Sequence, residues 1–256
     1  MGPALQVGPS LWGMDIHDEI RRYWDADAAV YDDVPNHRPT DAGELSAWSA
    51  TLARLLPPPP ARVLDCGAGT GFLSVLAARQ GHKVTALDLS PGMLARLAAH
   101  AAAEGLGIDV VEGRADRPPP GPFDAVMERH LLWTLPDPVG TLRAWRQVAP
   151  MGRLIVFEGL HGADDPMSRL RQAAGRALGR LRGQVTGHHA EYPPELLSSL
   201  PLASTTPAAV VEAISAAGWP DPWLERLHDV EWATRVALPP AERLLGAPAR
   251  FVVTAG

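Results

Sequence analysis

From Arg62 to Asp88 the chain runs Arg-Val-Leu-Asp-Cys-Gly-Ala-Gly-Thr-Gly (62–71), a helix-like segment, and His-Lys-Val-Thr-Ala-Leu-Asp (82–88). Val63 and Leu64 lead straight into Asp65, and glycines follow at positions 67, 69 and 71. Phe72, Leu73, Val75, Leu76, Ala77 and Ala78 then recur at the spacing of one helix face, and Gly81 supplies a helix stop. The next apolar run, Lys83 to Leu87, ends on Asp88. A strand, a glycine loop, a helix and a second strand make the first half of a nucleotide-binding α/β sheet. A Cβ in that loop would block the turn and hold a ligand off the backbone. The following helix start offers free N–H groups. Asp88, at the end of its strand, is placed to accept from both hydroxyls of a ribose.

The dinucleotide fingerprint G-x-G-x-x-G fails here, because its third glycine would be Phe72. The pattern is D-x-G-x-G-x-G, and Asp65 would repel a pyrophosphate but not an ammonium group. This resembles the first motif of the class I S-adenosylmethionine (SAM)-dependent methyltransferases. The resemblance implies that Gly67, Ala68 and Gly69, with Asp65, cradle the amino-acid end of SAM, and that Asp88 holds the ribose. Leu89-Ser-Pro-Gly-Met93 strengthens the likeness and implies that Leu89 and Met93 pack against adenine. After a third strand, Ile108 to Glu112, the Ala115 backbone and the Asp116 carboxylate are the implied partners of the adenine ring. The segment Phe123 to Pro138 is similar to the fourth strand and following loop of the same enzymes, with the strand expected over Phe123 to Met127. Glu128, Arg129 and His130 then fall at the strand's carboxyl end, where open α/β sheets bind ligands. Glu128 and Arg129 are assigned to the cofactor, and Trp133 to the wall of its pocket. His130 is the candidate catalytic residue.

Upstream, Ile16, Ile20, Tyr23, Trp24 and Ala28 recur at helical spacing. They resemble the N-terminal lid of small-molecule methyltransferases. By that likeness Trp24 and Tyr31 present their rings to the sulfonium or the substrate, Trp24 assigned to the cofactor and Tyr31 to the substrate; the rings would equally serve to staple the helix down. His37, in the turn-like stretch that follows, is a further candidate for the substrate side. A second helix, 42–56, carries a core stripe. Residues 1–60 are therefore expected to form a helical lid and 61–256 the core. Within the core, 163–206 breaks the sheet pattern and is expected to be a helical, substrate-side insertion after strand 5, with a basic face. His161, over the end of strand 5, and His189 and Tyr192 within the insertion are candidate substrate contacts. The chain is expected to finish with two strands, Trp223 to Val230 and Arg250 to Thr254. The fold implied is a Rossmann-like, seven-stranded, mostly parallel sheet of order 3-2-1-4-5-7-6 with its last strand antiparallel.

Composition narrows the partners. The 256 residues are 46% hydrophobic and carry a net charge of −6, ample for a core and unsuited to nucleic acid or an anionic membrane. One cysteine, Cys66, allows no intrachain disulfide. No zinc-type spacing, signal peptide or membrane-spanning run is visible, so the expectation is a cytoplasmic protein without a metal, monomeric or homodimeric. The implied reaction is in-line methyl transfer from SAM to an N or O atom of a small molecule, such as a heteroaromatic or natural-product intermediate, leaving S-adenosylhomocysteine (SAH). A nicotinamide-dependent oxidoreductase and a non-catalytic SAM-fold binding protein remain the alternatives.

Overall fold

Two capped helices open the chain. The Asp15 carboxylate accepts the His17 N–H (3.0 Å) at the start of α1 (Ile16–Asp27), and Asp41 accepts those of Gly43 and Glu44 at the start of α2 (Ala42–Leu55). A computed structural model of the chain describes residues 15–34, 37–159, 173–174, 192–203, 206–243 and 249–256. The elements that follow are β1 (Arg62–Cys66), α3 (Phe72–Arg79), β2 (Lys83–Asp88), α4 (Pro91–Ala103), β3 (Ile108–Glu112), β4 (Ala125–Arg129), α5 (Pro138–Val148), β5 (Arg153–Gly159), α6 (Pro194–Ser198), α7 (Pro207–Ala216), β6 (Trp223–Arg226), α8 (His228–Ala237), α9 (Pro240–Arg243) and β7 (Arg250–Ala255).

The seven strands form one sheet of order β3-β2-β1-β4-β5-β7-β6, with β7 antiparallel to both neighbours. This is the expected order. Strands β1, β4 and β5 are buried on both faces, which is why they read as apolar runs rather than alternations. Val63, Met127, Ile155 and Phe157 pack on one face with Trp48 and Leu52 of α2, Leu76 of α3 and Val230 of α8. Leu64, Val126, Leu154 and Val156 pack on the other with Leu142 and Trp145 of α5 and Ile214 of α7. The chain leaves β1 towards β2 on one side and reaches β4 on the other, so a crevice opens at their carboxyl ends.

Two boundaries differ from expectation. β4 starts at Ala125, two residues late, because Asp124 caps the neighbouring strand by accepting the Arg62 N–H (2.7 Å), and pairing with β1 begins only at Ala125. Glu128 and Arg129 are thus strand residues. β6 ends at Arg226, and Val230 is helical: α8 buries Val230 and Thr234 towards α2, where the Thr234 hydroxyl donates to Glu44 (2.6 Å). The expected basic helix, the loop before Tyr192 and residues 1–13 lie outside the described residues, apart from Ala173 and Ala174. The far end of the expected insertion holds α6, which buries Leu196.

Helix α1 and the turn after it lie across the crevice and are fastened to the core at two aspartates. Asp25 Oδ1 accepts the Ser90 hydroxyl (2.6 Å) and the Gly92 N–H (2.9 Å) at the start of α4. Asp32 accepts the Thr70 hydroxyl (2.6 Å) and sits 2.8 Å from His100 Nε2 and 3.6 Å from Arg96.

Candidate cofactor and acceptor site

A cavity of about 380 Å³ occupies the crevice, within the size range of small-molecule sites. The loops after four strands build its walls: Gly67 and Gly69 after β1, Asp88 and Leu89 at the end of β2, Gly113 to Asp116 after β3, and Arg129 to Leu131 at β4. Gly67, Gly69 and Gly71 all have positive φ. A Cβ at Gly71 would meet Leu97 at 2.5 Å and one at Gly67 would meet Leu131 at 2.8 Å, whereas one at Gly69 would find nothing within 4 Å. Gly71 and Gly67 are therefore glycines for packing, and Gly69 is the position that opens onto the ligand space.

Asp88 is held by its own loop. Its Oδ2 accepts the Gly69 N–H and its Oδ1 the Ser90 N–H, both at 2.8 Å, and the Leu89 backbone N–H also reaches the carboxylate, whose two oxygens together can accept about four hydrogen bonds. Burial still raises its pKa above the usual carboxylate range. Across the cavity the Arg114 guanidinium donates twice to Asp116 (2.9 and 2.6 Å) and lowers that carboxyl's pKa. Ala115 is fixed by its carbonyl, which accepts the Trp145 indole N–H (2.8 Å).

The roof is aromatic. Trp24 and Tyr31 line the cavity, with ring centroids 6.1 Å apart. Trp24 also packs edge-on to Trp133 (6.1 Å), which packs on Tyr192 (5.3 Å). The His37 ring stacks on Tyr31 at 4.1 Å, and its Nδ1 lies 3.0 Å from the Tyr31 carbonyl. Trp133, His37 and Tyr192 thus support the lining rings from behind.

The floor is charged. Arg129 lines the cavity with its guanidinium over Phe72 (4.5 Å) and donates to the His37 carbonyl. His130 lines it beside Arg129, with φ 62, its Nδ1 3.3 Å from Glu158 and its Nε2 3.4 Å from Arg250. Glu128 and Glu158 are buried beneath. Burial pushes the Glu158 pKa up to about 8, and burial with the Glu158 charge beside it pushes that of Glu128 well up.

Four residues assigned to the cofactor stand off the cavity wall, Trp133 behind Trp24 and three others. Glu128 turns to the Leu131 N–H (2.7 Å), Asp65 accepts the Ser74 hydroxyl (2.6 Å) inside the core, and Ala68 packs beside Leu94 and Leu97. His161 and His189 lie outside the described residues. Conversely, Asp15, Ile16, His17 and Ile20 of the α1 start line the cavity, and only the helical periodicity around them was visible in sequence. Arg250 and Glu158 were also missed, being 120 and 28 residues from His130. Among the described residues no group of three His, Cys, Asp or Glu side chains could hold a metal ion, and no helix is long and apolar enough to cross a membrane.

A family model described as a methyltransferase domain matches residues 63–152. The trans-aconitate 2-methyltransferase of Streptomyces avermitilis is 31% identical over 213 residues, 77% of this chain and 75% of that protein. The chain belongs to the class I SAM-dependent methyltransferases. The ubiquinone biosynthesis O-methyltransferase of Xanthomonas campestris is 31% identical to this methyltransferase over 185 residues, 70% of this chain and 73% of the other. In fold it is similar to a phosphoethanolamine N-methyltransferase of Haemonchus contortus solved with phosphomonomethylethanolamine and SAH (TM-score 0.60, 16% identity, 94% of this chain and 60% of that one). The family sets aside both alternatives left by the sequence, and SAM is the cofactor of this methyltransferase. The open space at Gly69 and the remaining acceptor capacity of Asp88 fit that cofactor.

Asp65 predicts a pH effect on stability. Burial, opposed by the Ser74 hydrogen bond, raises its pKa to about 7, well above the value of about 3.9 in an unfolded chain. The folded state therefore holds the proton longer, and this contribution to stability is full below about pH 4 and lost as pH rises through about 7. Asp65→Asn mimics the neutral acid, so its melting temperature relative to the wild type is expected to climb between pH 5 and pH 8. A constant difference across that range would contradict the assignment.

Proposed function

We propose that this methyltransferase transfers its methyl group to an N or O atom of a small molecule held between the Trp24–Tyr31 roof and His130. The observation that carries the reading is the position of His130 on the cavity wall, at the end of β4 and beside the glycine loop of β1. When bound, SAM supplies a methyl group on a positively charged sulfur, ready for in-line displacement. The protein's part is to align the acceptor and keep water out. In this reading the backbone of Gly67, Ala68 and Gly69 and the Arg129 guanidinium hold the amino-acid end. Asp88 holds the ribose, and Leu89, Met93, Ala115 and Asp116 hold the adenine. Trp24, with Tyr192 behind it, turns an aromatic face to the cation, while Tyr31, with His37 behind it, bounds the acceptor.

The test is transfer of labelled methyl from SAM to a panel of phenols, carboxylic acids, heteroaromatic amines and alkylamines, with mass spectrometry of the product. Methylated products from one class support the reading. Transfer only to a polymer substrate, protein or nucleic acid, would overturn it.

Asp88→Ala is expected to weaken SAM about tenfold to a hundredfold, the size of one charge-assisted hydrogen bond. Because Asp88 also holds the Gly69 and Ser90 N–H groups, the variant loosens the loop as well. Calorimetry of the wild type with a 2′,3′-dideoxy analogue of SAM isolates the ribose contact. Equal affinity for the analogue and for SAM would remove Asp88 from that role.

A further inference from the structure

Arg129 pairs opposite Phe157 at the end of β4, and Gly159 opposite Arg250 where β5 ends and β7 begins. Successive side chains alternate between faces. Glu128 follows Val126, and Glu158 follows Val156, on the α5 and α7 side. Arg129 follows Met127, and Arg250 precedes Val252, on the α2 side. The two acids thus share one face and the two guanidiniums the other, with Arg250 5.8 Å and Arg129 5.7 Å over the ring of Trp48.

His130 stands where the faces meet. It leaves β4 in the left-handed region, φ 62, with its N–H donating to the Phe157 carbonyl (3.0 Å). The turn swings its ring between one acid and one cation: Nδ1 is 3.3 Å from Glu158 Oε2, and Nε2 is 3.4 Å from Arg250 Nη1. A guanidinium donates and never accepts. Facing that donor, Nε2 offers its lone pair to Arg250, and the ring proton sits on Nδ1, donating to Glu158 Oε2, whose own proton, while the acid is neutral, is on Oε1. A second proton on Nε2 would point at a cation.

We propose that Arg250 is a positioning residue for methyl transfer, holding the His130 ring as its neutral Nδ1–H tautomer between Glu158 and Arg250 so that it presents a fixed surface to the acceptor. The surroundings of Arg250 point to function rather than packing. The residue is 4% exposed, and its Nε has no hydrogen-bond partner. A buried cation with an unmade hydrogen bond is costly, and an apolar side chain of similar volume would pack there more stably. Its pKa falls to about 10 through burial and the like charge of Arg129, which leaves it charged at neutral pH. The proposal rests on the reading that His130 faces the acceptor.

Imidazole ¹⁵N spectra of the SAH-bound wild type at pH 7.5, with His130 assigned from His130→Asn, test the tautomer without any acceptor. The expected result is a protonated Nδ1 and a lone pair on Nε2. Arg250→Met is expected to lose that preference and Arg250→Lys, which keeps a donor, to retain it, with SAH affinity unchanged in both. Turnover of an acceptor found in the methyl-transfer panel should fall about tenfold or more in Arg250→Met, as for a small misplacement of a reacting group, and recover in part in Arg250→Lys. An Nε2–H or doubly protonated ring in the wild type would overturn the proposal. So would an unchanged tautomer or full turnover in Arg250→Met. The wild-type spectrum decides the tautomer even if Arg250→Met does not fold. Full activity in His130→Gly would instead strike the reading of His130 as acceptor-facing, whatever the tautomer.

Discussion

Gly69→Val is expected to abolish SAM binding while the protein stays folded. At Gly69 φ is +55, and a Cβ there would find no atom of the described residues within 4 Å. The strain of a left-handed, β-branched residue costs about 1–2 kcal/mol, which a domain of ordinary stability withstands. The two added methyl groups stand in the space left for the ligand. The obvious neighbour, Gly67, is a poorer choice, because a Cβ there would press on Leu131 at 2.8 Å and mix a packing defect with a binding defect. Calorimetry with SAH, beside a thermal melt, separates the two effects. SAH affinity equal to wild type in folded Gly69→Val would mean that the glycine loop does not cradle the cofactor.

Removal of the His130 ring is expected to lower turnover about a hundredfold to a thousandfold, the cost of a misaligned acceptor, with SAM affinity nearly intact. Glycine is the substitution to use, since φ 62 strains alanine but suits glycine and, to a lesser degree, asparagine. His130→Asn keeps the backbone and one of the two hydrogen bonds, so it should fall only about tenfold, short of the 10²–10⁴ that proton transfer contributes. Equal, large losses in both variants would make proton transfer the task of the ring. Full activity in both would leave alignment to the roof.

Much of this was legible because the signals are local. Asp65, the three glycines and Asp88 lie within one strand–loop–helix–strand unit, and turn chemistry and helix spacing act over a few residues. The sheet order followed from the family likeness and holds throughout. What was lost is non-local. Arg250 and Glu158 look like ordinary strand-end charges until β5 and β7 pair and set them around His130. Val230 read as a strand residue because apolar residues continue after β6, yet Asp229 and Glu231 in the first turn and Arg235 in the last are helix signals, and the Thr234–Glu44 bond that fixes α8 spans 190 residues. Asp65 was assigned to the cofactor from the family motif and Glu128 from its place at the strand end. Their hydrogen bonds to Ser74 and to the Leu131 N–H turn them inward.

The two aspartate fastenings of the roof bear on the order in which molecules come and go. Ser90 donates its hydroxyl to Asp25 of α1 and its N–H to Asp88, so the cover and the carboxylate proposed to hold the ribose share one residue. Thr70, which holds Asp32, belongs to the glycine loop. Neither fastening can loosen without disturbing the groups around the cofactor. The expected order is cofactor first in and its spent form last out, with the acceptor exchanging in between. Such a sequence shows in steady-state kinetics as SAH inhibition competitive with SAM and mixed with respect to the acceptor.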